Sequence, residues 1–102
     1  MNRKARVPRP CEVDPDFWFP EGKGGHTVLH QLEAAAAICN SSCPVRQRCL
    51  EVAMVAEGAA EKGYRFGVFG GLTPAERANL ARVRRRAVQR AAEHAAGQEL
   101  AA

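Results

Sequence analysis

Four cysteines in a chain of 102 residues are the feature that most restricts the fold. Their spacing is Cys11-x27-Cys39-x3-Cys43-x5-Cys49. Aromatic residues make up only 6% of the chain, so we do not expect a generous apolar core. Domains of this size bury roughly 60–65% of their chain surface and often need a metal, a disulfide or a partner. We therefore expect the cysteines to stabilise the fold.

Three kinds of cysteine site are compatible with this spacing. An iron–sulfur cluster held by four thiolates tolerates irregular spacings. Structural zinc prefers two short C-x₂₋₄-C pairs, and here only Cys39-x3-Cys43 has that form. Two disulfides match the even cysteine count, but cytosolic proteins rarely keep them. The spacing favours a cluster over zinc, and zinc over disulfides, without deciding among the three.

The compartment follows from the lack of an apolar segment. The longest uncharged apolar run is 34–39, far shorter than the ~20 residues that cross a bilayer. Basic residues near the N-terminus are followed by prolines and acids, where a signal peptide would need an apolar stretch. We expect a cytoplasmic protein with no membrane partner.

Charge divides the chain, whose net charge is +4, into a basic start, an acidic middle and a basic stretch near the C-terminus. Residues 1–10 carry four basic side chains and no acid, whereas 11–76 carry nine acidic and five basic ones. Residues 77–90 contain six arginines and no acid: Arg77, Arg82, Arg84, Arg85, Arg86 and Arg90. A solvated helical face usually mixes both signs, so this stretch indicates contacts with nucleic acid phosphates.

Residues 1–26 are predicted to be irregular because prolines and glycines punctuate them. Good helix formers at 28–38 predict a first helix that leads into Cys39 and is interrupted by Asn40, Ser41 and Ser42. Pro44 suits the first turn of a second helix, which should end near Gly58. Its residues Val45, Cys49, Val52 and Ala56 share one face.

The last third of the chain predicts a turn followed by a long helix. Residues 63–71 are aromatic and Gly-rich, which indicates a turn. Thr73 and Glu76 form a capping box around Pro74, and the third helix should run to about Ala96 with Gly97 as its stop. The predicted fold class is mostly α.

No arrangement typical of a catalytic site stands out. The chain lacks a Ser–His–Asp set, paired carboxylates and a phosphate-binding Gly-Lys loop. His26 and His30 would share a helical face, most simply as a surface pair. A thioredoxin-type enzyme would require C-x-x-C beside a βαβ pattern, and neither is present. The residues alone therefore give no sign of a particular catalytic activity.

Three motifs in order carry a family resemblance: DPDFWFP at 14–20, CPVRQRCL at 43–50 and GVFGGLTPAER at 67–77. Together with the cysteines, they resemble the WhiB-like (Wbl) family of actinobacterial and actinophage iron–sulfur transcription factors. The resemblance covers roughly residues 11–90.

The resemblance implies a 4Fe–4S cluster, held here by Cys11, Cys39, Cys43 and Cys49. It implies a regulator that is not an enzyme and has no small-molecule substrate. Such a regulator responds to redox state or nitric oxide and binds region 4 of the primary sigma factor in the RNA polymerase holoenzyme. The implied sigma contacts are Phe17, Trp18, Phe19, Gly67, Val68, Phe69, Gly70 and Gly71. It also implies DNA contacts from the six arginines between 77 and 90.

These inferences divide the chain into a basic flexible arm (1–10), a domain that binds the cluster and sigma factor (11–72) and a basic helical tail that contacts DNA (73–102). The alternatives are a cluster-free protein disulfide reductase that uses Cys39 and Cys43, and a zinc-stapled DNA-binding module.

Two positions depart from the family pattern. The family spacing C-x2-C is C-x3-C here, and we expect a pliable turn at 40–42 to absorb the additional residue. The family's Trp in the Gly-rich turn is Phe69 here, which keeps apolar area but lacks an indole N–H.

Overall fold

The structure, a computed structural model, describes residues 8–21 and 25–101, and most of these residues are helical. The helices are α1 (Pro10–Val13), α2 (Pro15–Trp18), α3 (His26–Ser42), α4 (Arg46–Glu57) and α5 (Pro74–Ala101), with a 3₁₀ turn at Lys62–Tyr64. Within the described ranges, β-structure is limited to an isolated bridge between Phe69 and Leu72. The predicted mostly-α class is confirmed. Residues 1–7 of the predicted basic arm lie outside the described residues.

Helices α1 and α2 correct the prediction that residues 1–26 are irregular. Pro10 and Pro15 each occupy the first turn of a short helix, where the N–H that proline lacks would be unpaired anyway. The Glu12 carboxylate accepts hydrogen bonds from the Arg9 backbone N–H (2.9 Å) and from its guanidinium (2.6 Å). Prolines therefore start helices here rather than prevent them.

Helix α3 continues through Asn40, Ser41 and Ser42, so the predicted pliable turn is wrong. Polar side chains at a helix end are tolerated when they find partners. The Asn40 amide donates to the Gly71 carbonyl (3.2 Å), and the Ser41 hydroxyl donates to the Ile38 carbonyl (3.3 Å). The additional residue of C-x3-C is therefore absorbed by the helix, not by a loop.

The later helix boundaries also shift from their predicted positions. Cys43 is extended (φ −88°, ψ 119°), as expected for a residue before proline, and α4 begins at Arg46, after Pro44. Helix α5 does not stop at Gly97 but continues to Ala101. Good helix formers surround that glycine, so its cost of about 1 kcal/mol does not end the helix. The Thr73–Glu76 capping box is confirmed by two hydrogen bonds of 2.9 and 3.3 Å.

Two small groups of buried side chains form the core. The first contains Trp18, Ala35, Ala36, Cys39 and Val68 and joins α2, α3 and the Gly-rich turn. The second contains Leu50, Met54 and Ala81 and joins α4 to the start of α5. Cys39 belongs to the first group and Cys11 packs against it, so two of the four candidate metal ligands are part of the core.

Helix α5 leaves the core after its second turn. Every residue from 82 to 100 is exposed, and the molecule is elongated, with extents of 58 × 42 × 20 Å. None of the described helices is both long enough and apolar enough to cross a membrane.

The Gly-rich turn (residues 67–71) is a tight reversal packed on α4. Phe69 and Leu72 exchange two backbone hydrogen bonds of 3.3 and 3.1 Å across Gly70 and Gly71. Both central glycines have positive φ (60° and 80°), which such two-residue turns require. A side chain at Gly70 would also overlap α4, since its Cβ would lie 2.6 Å from the Leu50 Cα. The predicted Gly-rich turn is confirmed.

We expect Gly70→Ala to destabilise the fold by more than about 2 kcal/mol, because left-handed strain adds to a backbone overlap. Gly97→Ala is the matched control, with open space around it inside an exposed helix. It should stabilise the protein by about 0.5–1 kcal/mol. Urea unfolding followed by circular dichroism measures both changes, and equal stabilities for the two variants would contradict this account.

Candidate metal centre and its surroundings

The four cysteines come from three helices and one junction. Cys11 lies in α1, Cys39 near the end of α3 and Cys49 in α4, while Cys43 directly follows α3. The Cys43 N–H donates to the Cys39 carbonyl (3.1 Å), so these two residues lie one helical turn apart on the same side. All four thiols are free; Cys39 is buried and the others are half-buried.

Backbone and side-chain N–H groups act on two of the sulfur atoms. The Trp18 indole donates to the Cys39 Sγ over 3.1 Å, in a fully buried contact. The Gly70 backbone N–H lowers the pKa of Cys49. Such donors favour the thiolate form, which is the form that binds metals.

The charges of the other cysteines affect the pKa values of two thiols. Burial raises the pKa of Cys11, Arg9 lowers it, and the other three cysteines raise it further. Burial also raises the pKa of Cys49, while the Gly70 hydrogen bond lowers it and Cys39 and Cys43 raise it. The sulfurs therefore lie within electrostatic reach of one another, and a bound cation would reverse their mutual repulsion.

The donor chemistry fits a thiolate-bound metal group. Soft sulfur ligands select zinc or iron–sulfur clusters, and N–H donors to the sulfurs are typical partners of such centres. Within 8–21 and 25–101, no three His, Cys, Asp or Glu side chains converge closely enough to hold one ion. Zinc sites and iron–sulfur clusters can both use four thiolates, so the donor set is compatible with either.

Arg77 does not face solvent, so the prediction that it contacts DNA is wrong. Its side chain is 0% exposed. It donates to both Glu57 carboxylate oxygens (2.9 Å each) and to the carbonyls of Phe66, Gly67 and Leu72 (3.0, 2.8 and 2.8 Å). These bonds use all five N–H donors of a guanidinium, and the group also stacks on the Phe69 ring at 5.1 Å.

Glu57 is the centre of a buried ion network that sequence reasoning missed. Its carboxylate also accepts from Arg65 (2.6 Å), which donates through two further N–H groups to the carbonyls of Gly58 and Ala60. The two buried arginines thus share one carboxylate. The start of α5 offered a signal for Arg77, because a side chain in the first helical turn leans back toward the preceding loop. Nothing local pointed to Glu57.

The network predicts a loss of stability in acid. Burial raises the pKa of Glu57, but hydrogen bonds from Arg77 and Arg65 outweigh it and hold the pKa below its ordinary 4.5. A lowered folded-state pKa contributes stability above pH 4.5, which is lost as the pH falls through the folded value. Urea midpoints should therefore fall below pH 4.5. They should fall less steeply in Glu57→Gln, and identical slopes would contradict this assignment.

The predicted partner-binding residues with large side chains fall into two groups, one in the core and one at the surface. Trp18 and Val68 are 3% and 2% exposed and serve the core, where the Val68 N–H donates to the Trp18 carbonyl (3.0 Å). Phe19 is 44% exposed and packs edge-on against Phe69 at 5.5 Å, so these two rings lie together at the surface. Phe17 is half-buried beside Trp18.

The three glycines of the predicted docking turn are buried, and they allow close packing rather than offer a surface. Gly67 packs on the Trp18 carbonyl and the Phe19 ring, and Gly71 on Asn40. Phe66 and Tyr64, which were not predicted as site residues, are 69% and 77% exposed.

An open groove of about 530 Å³ lies beside Cys49. Its floor is the α4 face predicted from the sequence, and its wall includes the Phe69 ring. The lining residues are Arg9, Val45, Arg48, Cys49, Val52, Ala53, Ala56, Glu57 and Phe69. The groove therefore presents apolar surface next to a candidate metal ligand.

The arginines of α5 differ in their partners. Arg84 forms a two-pronged pair with Glu51 of α4 (2.9 and 2.8 Å), and Arg82 lies 3.9 Å from Glu61. Arg85, Arg86 and Arg90 are exposed and form no ion pair within the described part of the chain. His26 and His30 form a surface pair with ring centroids 4.8 Å apart.

Several transcriptional regulators contain a similar amino-acid sequence. WhiB2, a transcriptional regulator of Mycobacterium tuberculosis, is 41% identical over 72 residues, covering 71% of this chain and 66% of that protein. WhiB of Streptomyces coelicolor, also a transcriptional regulator, is 39% identical over 70 residues (69% of this chain, 66% of that protein). The chain thus spans slightly less than two thirds of these relatives, and 46% of the WhiB2 of Mycolicibacterium smegmatis.

The family model for the transcription factor WhiB matches residues 7–80. This region contains all four cysteines, the Gly-rich turn and the capped start of α5. The protein therefore belongs to the WhiB family of transcription factors.

Proposed function

We propose that this protein is an iron–sulfur transcriptional regulator, not an enzyme, that binds region 4 of the primary sigma factor and contacts promoter DNA. The observation that carries the proposal is the set of four free thiols, of which Cys39 accepts a hydrogen bond from the buried Trp18 indole. Cys11, Cys39, Cys43 and Cys49 are the proposed ligands of a 4Fe–4S cluster. When bound, such a cluster supplies one-electron redox chemistry and reactivity toward oxygen and nitric oxide.

The protein's own residues would link the cofactor state to the docking surface. Cys11 is the only proposed ligand on α1, which packs against α2 and α3 through few residues. Loss of that ligand would release α1 and the neighbouring Phe17–Phe19 segment, by the coupling of metal binding to folding that small metal-dependent domains have. A redox signal would thereby change the affinity for sigma factor.

Phe19 and Phe69 are the proposed anchors for sigma factor, with Phe17 beside them and Trp18, Val68 and the turn glycines supporting them from below. Exposed aromatic rings that meet beside an apolar groove are typical of interface anchors. The proposed division of the chain is a basic arm (1–10), a cluster- and sigma-binding domain (11–72) and a DNA-contacting tail (73–102).

The proposed DNA contacts are the exposed arginines of α5: Arg82, Arg84, Arg85, Arg86 and Arg90. The helix extends away from the core, so these side chains can follow a phosphate backbone. Few phosphate contacts give weak binding, but attachment to sigma factor at a promoter makes the contact effectively intramolecular.

Arg85, Arg86 and Arg90 predict a definite salt dependence. If each neutralises one phosphate, together they contribute about −2.7 to the slope of log K against log salt concentration. The triple alanine variant should lose that contribution, whereas Lys62→Ala, an exposed cation of the 3₁₀ turn, should not. Fluorescence anisotropy of the sigma complex with a labelled duplex measures the slopes, and an unchanged slope in the triple variant would exclude these contacts.

The function is tested by anaerobic purification together with sigma region 4. A brown complex with about four irons and four sulfides per chain is the expected result. A colourless protein with one zinc would favour a zinc-stapled DNA-binding module. A metal-free protein that turns over in a thiol–disulfide assay would favour a disulfide reductase. If the protein elutes without the sigma fragment, sigma region 4 is excluded as its partner, and the cofactor result is not affected.

A further inference from the structure

Arg77 is a buried cation whose guanidinium cannot move independently of its surroundings. The side chain is 0% exposed, and both Glu57 carboxylate oxygens accept its N–H donors at 2.9 Å. Arg65 is a second buried cation on the same carboxylate. Moving the carboxylate away would leave two buried charges unpaired, so α4 sets the position of the Arg77 guanidinium.

The same guanidinium holds the backbone on both sides of Phe69. Its other three N–H donors reach the carbonyls of Phe66 and Gly67 before this residue and of Leu72 after it. Phe69 itself exchanges two backbone hydrogen bonds with Leu72. The backbone that carries the Phe69 ring is therefore fixed relative to Arg77.

The guanidinium of Arg77 also contacts the Phe69 ring directly. Its Cζ lies over the ring at 5.1 Å from the centroid, which is within the range of a cation–π contact. The buried ion network contains two positive charges and one negative charge, and the electron-rich face of the ring lies against this excess of positive charge. A lysine is a poor replacement, because an ammonium has neither a plane that stacks on a ring nor five donors.

The Phe69 ring, held in this way, meets Phe19 at the surface. The two ring centroids are 5.5 Å apart with their planes at 68°, and Phe19 is 44% exposed. Phe69 is half-buried and also lines the groove beside α4. A ring that is already fixed loses little conformational freedom when a partner binds, so its positioning in the free protein favours affinity.

We propose that Arg77, fixed by Glu57, is a positioning residue for the Phe69 ring and holds it edge-on against Phe19. Arg77 does not reach the surface itself, so it would affect a partner only through that ring. The positioning belongs to the free protein. Its effect on the binding of sigma region 4 rests on the proposed function, in which Phe19 and Phe69 are the anchors.

The first measurement uses the full chain without a partner and compares two nuclear Overhauser effects between aromatic rings. Phe17 and Trp18 form an internal reference, because their centroid distance of 5.6 Å and interplanar angle of 68° closely match those of the proposed pair. In Arg77→Lys, the effect between Phe19 and Phe69 should weaken several-fold relative to the reference.

The control for this measurement is Lys62→Arg, the reverse exchange at an exposed cation, which should leave the ratio of the two effects unchanged. An unchanged ratio in Arg77→Lys overturns the proposal, and so does an equal loss of both effects, which would indicate a general loosening of the fold. If Arg77→Lys does not fold, Glu57→Gln decides by the same comparison, because it keeps Arg77 but removes the charge that fixes it.

The second measurement is the affinity for a fragment of sigma region 4, in a double-mutant cycle with Phe69→Ala. Arg77→Lys should weaken binding about fivefold or more when Phe69 is present and should have almost no effect when it is absent, because the two residues act as a unit. An equal loss in both backgrounds would show a merely structural role and overturn the proposal. If the native chain does not bind the fragment, the proposed partner is refuted, and the ring measurement alone decides whether Arg77 positions Phe69.

Discussion

Replacing Glu57 with alanine is expected to cost about 3–5 kcal/mol of folding free energy, a large share of the 5–15 kcal/mol that domains typically have. The substitution leaves Arg65 and Arg77, both nearly fully buried, without a counter-charge. Urea unfolding of the purified chain measures the change.

The matched control for Glu57 is Glu61→Ala. Glu61 is 69% exposed and lies 3.9 Å from Arg82, a distance at which an exposed pair contributes at most about 1 kcal/mol. Similar losses in the two variants would show that the buried network has no special role. A loss confined to Glu57→Ala would show that one acidic residue holds α4, α5 and the Gly-rich turn together.

Replacing Cys39 with serine is expected to leave the chain essentially without iron. Cys39 is the most buried of the four cysteines, and its sulfur accepts the Trp18 indole N–H inside the core. A serine hydroxyl is a harder ligand that does not ionise near neutral pH, so it cannot replace a thiolate. Because metal binding contributes to folding, the variant should also lose the stability that iron loading adds to the native chain.

Iron and sulfide analysis with a visible spectrum measures the effect of Cys39→Ser, and thermal unfolding before and after iron loading measures its link to stability. Ser42→Ala is the matched control, because Ser42 is exposed in the same last turn of α3. Full iron retention by Cys39→Ser would remove Cys39 from the ligand set. Loss in both variants would point to a fragile helix end rather than to a missing ligand.

The Gly-rich turn connects these predictions, because the same residues touch the ion network and the cysteines. Arg77 holds the ends of the turn, and Gly70 and Gly71 contact the residues next to Cys49 and Cys39. A substitution in the network should therefore change the environment of sulfur atoms that it does not touch. This coupling distinguishes the network from a surface ion pair such as Arg84–Glu51.

Interactions between residues close in sequence explain what could be predicted for the fold. The capping box of α5, the turn at Gly70 and Gly71 and the apolar face of α4 all depend on residues a few positions apart. The errors at the ends of α3 and α5 have the opposite cause. Asn40 is helical because its amide reaches Gly71, 31 residues away, and Gly97 is helical because its neighbours outweigh it.

The sequence by itself determined the helical class, the family and the four candidate ligands, because each follows from residue type, spacing and motif order. Only the tertiary structure decided which arginines are available to DNA. Arg77 belongs to the same basic stretch as Arg85 and Arg86, yet it is buried because its carboxylate partner lies 20 residues earlier in the chain. Charge patterns along a sequence do not contain that distance; it arises when α4 and α5 pack together.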